Sequence, residues 1–494
     1  MKKIFHTSFS FMSILFFTQI ADAQLSSGKL KNSRPNIIFV MTDDQGMGDL
    51  SCMGNQVVKT PHMDAFYEKS TRFTEYHVSP TCAPTRASLM SGRHEFRVGV
   101  THTILERERM ALDVYTFPQA LQSAGYQTGL FGKWHLGDGD EYLPQNRGFN
   151  EVLMHGSGGI GQVKLGDFPA NEENVYFDNV LLHNDTIVKT KGFCTDVFFN
   201  AALAWTKEQI EAKNSYFTYI SLNAPHAPLV APEAYKKRFL DLGYDEGTAG
   251  RYGMIENIDD NFGVLMRKLT EWHALENTLV IFTTDNGATH LRGTLNGESV
   301  KHFNANLKGG KNSPNEGGNH VPFFWHWKGV LSEGRDINEL TAHVDMYKTF
   351  VELAGAELPN EIQNLEGRSL LPLLEGTTRE WTDRMLFTHC GRWATGKVDD
   401  AKFEKMAIRS QKWRFVNNTE LYDITKDPGE TTNVIEAHPD VAASFKVPYS
   451  KWWETSIPLM INENRQKVKE QPLHARYYKQ LKEVGIPNWS PPTF

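Results

Sequence analysis

Cysteine is scarce in this chain. Only Cys52, Cys82, Cys194 and Cys390 occur in 494 residues, and their spacing matches no zinc-binding pattern. In an oxidising compartment two of them can pair, but the sequence does not say which. A dense basic run is also missing, and the formal net charge is -7. That balance argues against a nucleic-acid partner while leaving room for a locally basic pocket that holds an anion. There is no internal repeat, no low-complexity segment and no composition typical of disorder. Past the N-terminus no apolar run reads as a membrane span. At this length the chain can bury a large core and carry a second, smaller domain.

The N-terminus is the exception to that polarity. Lys2 and Lys3 precede an apolar stretch from Phe9 to Ile20, then Ala21-Asp22-Ala23 before Gln24. This order of charged, apolar and small residues predicts a secretory signal over residues 1–23, cleaved after Ala23. The apolar run is too short to span a bilayer comfortably, and no cysteine follows the cleavage point to take a lipid anchor. The expected mature protein is soluble, away from the membrane, and secreted or periplasmic.

Short apolar runs alternate with longer amphipathic stretches, which predicts an α/β sheet covered by helices. Four runs stand out: Asn36 to Thr42, Gln127 to Gly132, Tyr216 to Leu222 and Leu279 to Thr284. The first leads into Asp43-Asp44, the second into Lys133-Trp134-His135, the third into Asn223-Ala224-Pro225-His226 and the fourth into Asp285-Asn286-Gly287. Taken singly, each ending is a polar turn. Ligands of open α/β sheets bind beyond the carboxyl ends of the strands, so four such endings together predict one shared site. Further on, Arg384 to His389 and Lys405 to Tyr422 alternate over short spans, predicting a small antiparallel sheet, with a mixed helical tail from about Pro439. A boundary near residue 378 divides an expected catalytic domain, 24–378, from a C-terminal subdomain, 379–494.

The most specific motif is Cys82-Ala83-Pro84-Thr85-Arg86, continuing Ala87-Ser88-Leu89-Met90-Ser91-Gly92-Arg93. Pro84 suits the first turn of a helix, which places residue 82 at a helix N-terminus, where free N–H groups and the dipole favour an anion. This stretch resembles the signature of the type I sulfatases, C-x-P-x-R followed by Leu and Gly-Arg. The resemblance implies that a separate maturase oxidises Cys82 to formylglycine, whose hydrate carries two hydroxyls. One attacks sulfur, and the second expels sulfate by re-forming the aldehyde. A serine lacks that exit.

Asp43-Asp44 and Asp285-Asn286 offer oxygen to a hard divalent cation, which suits calcium better than magnesium, and either better than zinc. By the same resemblance, Asp43, Asp44, Asp285, Asn286 and the modified Cys82 hold one calcium ion. Gly132-Lys133-Trp134-His135-Leu136-Gly137 is similar to a second block of that family. It implies that Lys133 binds a sulfate oxygen and that His135 contacts the hydrated formylglycine and starts sulfate expulsion. His226 resembles the family's second histidine, placed to protonate the leaving oxygen. A third block, from Leu307 through Glu316-Gly317-Gly318, selects Lys311, not Lys308, as the second sulfate clamp. Arg86 is expected to orient the formylglycine hydroxyl and the metal-ligand carboxylates.

The resemblance covers roughly residues 34–435. It implies an alkaline-phosphatase-like α/β sandwich with a central, mostly parallel sheet and a smaller C-terminal antiparallel-sheet subdomain. The implied activity is sulfate-ester hydrolysis. The alternatives are a phosphoester or phosphonate hydrolase of the same superfamily and an inactive glycan-binding relative. The expected substrate is a sulfated carbohydrate. The insertion from about His155 to Lys191 is rich in Gly, Asn, Asp and aromatics, as sugar-facing loops often are. Pro314 to His320 departs from the family pattern and is expected to form part of the pocket wall. His320, Trp325 and Arg392-Trp393 are candidates for sugar contact, although core packing is the commoner use of a tryptophan such as Trp325.

Overall fold

The computed structural model describes residues 29–494 apart from 173–174, 363, 379 and 467. The expected signal, 1–23, lies outside the described residues.

A ten-stranded sheet organises the chain. Its strands are β1 (Asn36–Thr42), β2 (Thr71–Phe73), β3 (Gln127–Lys133), β4 (Glu151–His155), β5 (Val180–His183), β6 (Thr186–Lys189), β7 (Tyr216–Ser221), β8 (Thr278–Thr284), β9 (Phe323–His326) and β10 (Asp336–Ile337), in the order β10-β2-β9-β8-β1-β7-β3-β4-β5-β6. The middle five, β8-β1-β7-β3-β4, are all parallel, so their carboxyl ends share one edge. The four runs predicted as strands are β1, β3, β7 and β8, with ends shifted by at most one residue.

Burial explains why these runs are apolar throughout. Along β1, Ile37, Phe39 and Met41 face one core and Ile38 and Val40 the other, as period-two geometry requires. The first core is covered by the helices Cys82–Ser91, Phe117–Ser123 and Asp345–Ala354, the second by Cys194–Glu211 and Glu246–Glu271. Trp325 is fully buried in the first core and makes no wall for a ligand.

The small antiparallel sheet expected near the C-terminus is present, with four strands. It consists of β11 (Leu386–His389), β12 (Met406–Arg409), β13 (Trp413–Val416) and β14 (Glu420–Asp423), followed by the helix Pro439–Ser456. Phe415, Leu421, Phe445, Trp452 and Trp453 form its own apolar core. All four cysteines are free thiols. Among the described residues no helix is long and apolar enough to cross a membrane.

Candidate active site

The predicted strand endings do converge. Asp43 and Asp44 follow β1, Asp285 and Asn286 follow β8, Lys133 closes β3 with His135 two residues on, and His226 follows β7. Facing them, Cys82 is the first residue of its helix, with Pro84 in the opening turn as expected. Asp43, Asp44, Cys82, Arg86, Lys133, His135, Asp285 and Asn286 are each at most 3% exposed. So dense a set of buried charges survives only by pairing.

Three cations do the pairing. Lys133 Nζ lies 2.6 Å from Asp43 Oδ2, and Lys311 Nζ lies 2.6 Å from Asp44 Oδ1. Arg86 donates to Asp285 Oδ2 from Nη2 at 2.8 Å and from Nε at 3.1 Å, and its Nη1 bonds Ser221 Oγ and the Lys133 carbonyl. Asn286 Nδ2 donates to Asp44 Oδ1 at 2.8 Å. Lys308, by contrast, pairs with Glu420 at 3.1 Å. Lys133, the residue expected on a sulfate oxygen, is fully buried with its ammonium facing Asp43.

Two oxygens in this cluster stay without a partner although buried: Asp43 Oδ1 and Asn286 Oδ1. Ligand atoms of Asp43, Cys82 and Asp285 lie within 4.8 Å of one another. A hard divalent cation fits this oxygen set. The soft thiol of Cys82 is the one mismatched donor, and oxidation to an oxygen-bearing group would remove the mismatch.

The charges shape the titration of the groups around them. Burial pushes Asp43 up to about 6 against the pull of Lys133, and burial together with the Asp43 charge pushes Asp285 to about 6. Asp44 goes the other way, because Lys311 and His226 outweigh its burial. Burial alone would raise the Cys82 thiol, yet Lys133 and Lys311 bring it below the ordinary thiol range.

The two histidines are held differently. His135 Nε2 sits 2.8 Å from the Thr103 carbonyl, which can only accept, so Nε2 carries the proton and Nδ1, which has no partner, is a bare base. Burial first, and then the Lys133 charge, keep this ring neutral. His226 gives its Nδ1–H to the Ala227 carbonyl at 2.7 Å and turns Nε2 toward Asp44 Oδ2, 3.9 Å away. Asp44 and His135 both adopt left-handed backbone (φ 67° and 61°), a conformation that strained functional sites often keep.

These groups open into a cavity of about 300 Å³ lined by Asp44, Cys82, His135, His226 and Lys311, with Thr103, Gly158, Gln162, Leu165, His290 and Arg392 among the other wall residues. The 155–191 insertion therefore does border the site. Gly158 is required there, since a Cβ would lie 2.5 Å from the His135 ring. Tyr176 of the same insertion donates its hydroxyl to the carbonyls of Asn223 and His226 and so fixes the His226 loop. Thr103, Ser221 and Tyr176 were missed by sequence reasoning.

Two expectations need correction. Pro314 to His320 does not line the cavity. Glu316 is locked by Arg409 and Arg414 of the C-terminal sheet, and His320 lies 2.9 Å from Glu316 and stacks on His77. Trp393 points away into an aromatic cluster with Phe96 and Trp453, its indole N–H bonded to Glu463. Of that pair only Arg392 reaches the cavity.

Residues 35–356 match the Sulfatase family, and residues 313–451 match the family of N-sulphoglucosamine sulphohydrolase C-terminal regions. The chain is 30% identical over 386 residues to N-acetylgalactosamine-6-sulfatase of Canis lupus familiaris, spanning 72% of this chain and 69% of that protein. Arylsulfatase A of Homo sapiens is 29% identical over 467 residues, 85% of this chain and 88% of that one. Among solved structures, Ps i-CgsB in complex with k-i-k-neocarrahexaose superposes with a TM-score of 0.75 at 25% identity, covering 91% of this chain and 98% of the other. The convergent strand ends, the cysteine-headed helix and these matches agree: the chain belongs to the sulfatase family and is a sulfuric ester hydrolase.

Proposed function

We propose that this protein is an exported sulfatase that removes sulfate from a carbohydrate, using formylglycine at position 82 and one calcium ion. The observation that carries the reading is the shared cavity. Cys82, Lys311, His135 and His226 border one space of about 300 Å³, more than a sulfate group fills and enough to admit part of a sugar. The relative Ps i-CgsB, bound to a neocarrahexaose, supports a carbohydrate as the leaving group. The N-terminal pattern of residues 1–23 supports export.

Asp43, Asp44, Asp285 and Asn286, with an oxygen on residue 82, would hold the cation. The cation supplies Lewis-acid polarisation, and the hydrated aldehyde supplies the attacking hydroxyl and its twin. The chain's own residues do the rest. Lys311 reaches the cavity and offers its ammonium to a sulfate oxygen and to the departing oxygen. Lys133 fixes Asp43 and lends its charge to residue 82, while Arg86 holds Asp285 in register. His135, with Nδ1 bare, takes a proton from residue 82. His226 presents Nε2 to the leaving oxygen, and burial makes it a stronger acid once protonated.

The test is sulfate release by enzyme co-produced with a formylglycine-generating maturase. Sulfated galactan, glycosaminoglycan and fucan oligosaccharides are compared with nitrophenyl sulfate and the matching phosphates. Turnover of at least one saccharide well above the aryl ester supports the reading. Efficient aryl sulfate turnover with no saccharide active, or a preference for the phosphates, overturns it.

A further inference from the structure

One cation on the cavity wall has no work in the cluster described above. Arg392 follows β11 in the turn Gly391-Arg392-Trp393 and lines the same cavity as Cys82, His226 and Lys311. The turn is built to a tight specification. A Cβ on Gly391 would lie 2.1 Å from the Thr101 carbonyl oxygen. The Arg392 N–H donates to that carbonyl at 3.0 Å, and the Trp393 carbonyl accepts from Arg107 Nη1 at 2.8 Å. Between these anchors Arg392 sits at φ 64°, a conformation that non-glycine residues adopt only when their surroundings impose it. The turn thus aims one guanidinium from the C-terminal sheet toward the site.

That guanidinium keeps spare donors. Nη2 donates to Thr103 Oγ1 at 2.7 Å, and Nε is buried without a partner. Among the described residues Arg392 forms no ion pair with a carboxylate, whereas Arg86, Lys133 and Lys311 each do. A guanidinium carries five N–H donors in a planar fork suited to carboxylate and sulfate oxygens. The sulfate to be removed lies with Lys311 and residue 82, so Arg392 is free for something else on the same ligand.

We propose that Arg392 is a specificity-determining residue that binds a second anionic group of the substrate, a carboxylate or a further sulfate ester near the one that is removed. The inference rests on the carbohydrate reading and narrows it to polyanionic glycans.

The test uses maturase-converted enzyme and three matched saccharides carrying the same scissile sulfate: one otherwise neutral, one with a neighbouring uronate and one with a neighbouring second sulfate. Wild-type kcat/KM should favour at least one charged saccharide over the neutral one by about tenfold or more, the scale of one charge-assisted contact. The arm with the larger ratio names the anion. In Arg392→Gln that ratio should fall toward one, and Arg392→Lys should keep part of it. A purely structural role, acting through Thr103 on His135, would lower all three rates alike and leave the ratio unchanged. Wild-type enzyme alone gives a second check, because added salt should depress the rate on the favoured saccharide more steeply than on the neutral one. No wild-type preference, a ratio unchanged in Arg392→Gln, or parallel salt curves would overturn the assignment. If no saccharide is turned over, the carbohydrate reading itself falls and takes this inference with it.

Discussion

Two of the buried charge clusters in this molecule are finished differently. At the junction with the C-terminal sheet, both oxygens of Glu316 are occupied. Arg409 Nε and Arg414 Nη1 lie 3.1 and 2.5 Å from Oε1, and His77 and His320 lie 3.2 and 2.9 Å from Oε2. Glu430 adds to it by accepting from the Glu316 N–H and from Asn315 Nδ2. At the strand ends the acids are also paired, yet Asp43 Oδ1, Asn286 Oδ1 and His135 Nδ1 are left over, beside a cavity. The junction also keeps a bare buried nitrogen, His77 Nδ1, so what marks the strand-end cluster is that carboxylate and amide oxygens are left over there, the donors a hard cation takes. This difference separates the two clusters better than charge or burial, which they share.

The contrast can be broken most forcefully at Glu316. Glu316→Ala strips one acid from two buried arginines, and losing one side of such a network costs about 3–5 kcal/mol. Denaturant unfolding should show that loss, while turnover per folded molecule stays near wild type in the cold. A large loss of turnover in fully folded protein would mean that the junction takes part in the chemistry.

Lys311→Ala should give the opposite signature. Turnover should fall by about 10²–10³-fold, the scale of one lost electrostatic contact to the reacting group, with a smaller effect on unfolding. Steady-state kinetics beside thermal melting separates the two.

Next in size is the cation. Calcium at about a hundred times its dissociation constant should stabilise the folded protein by about 2.7 kcal/mol, and a chelator should remove both that gain and turnover. Asp285→Asn should abolish the calcium-dependent shift. A melting curve indifferent to calcium and chelator would refute the oxygen set as a cation site.

A pH-dependent effect concerns Asp138, in the wall between His135 and the insertion, where it accepts from the Ser157 N–H at 3.2 Å. Burial, with Glu108 adding, pushes its carboxyl up to about 8 from an ordinary 3.8. Between those values the native state holds a proton that the unfolded chain has released, so this group's contribution to stability falls as pH rises through the window. Asp138→Asn removes the dependence. Melting temperatures of the variant should therefore gain on wild type steadily from pH 5 to 8, and parallel curves would count against a buried, protonated Asp138.

The strand-end cluster was the more legible of the two in sequence. Its acids sit directly after apolar runs, and a parallel sheet brings all such endings to one edge, so Asp43, Asp285 and His226 could be placed before any contact was known. Cys82 and Lys311 could be placed because their motifs are local. The junction gave no such signal. Glu316 meets Arg409 and Arg414 across more than ninety residues, and nothing in either segment announces the other. That is why Pro314 to His320 read as a pocket wall and why His320 read as a sugar contact. Thr103 on His135 and Ser221 on Arg86 were hidden for the same reason, since a carbonyl from a distant loop, or one hydroxyl at the end of an apolar strand, leaves no periodic trace. Arg392-Trp393 was half legible. Neighbours in a turn point in different directions, and only the backbone shows which one faces the site.

The central claim is that the unfinished cluster works through a converted residue 82. Peptide mass spectrometry of the segment containing Cys82, on preparations made with and without the maturase and assayed in parallel for sulfate release, tests it most directly. The account predicts the aldehyde at position 82 and turnover in proportion to the converted fraction. Full turnover from a preparation whose Cys82 remains a thiol would contradict it.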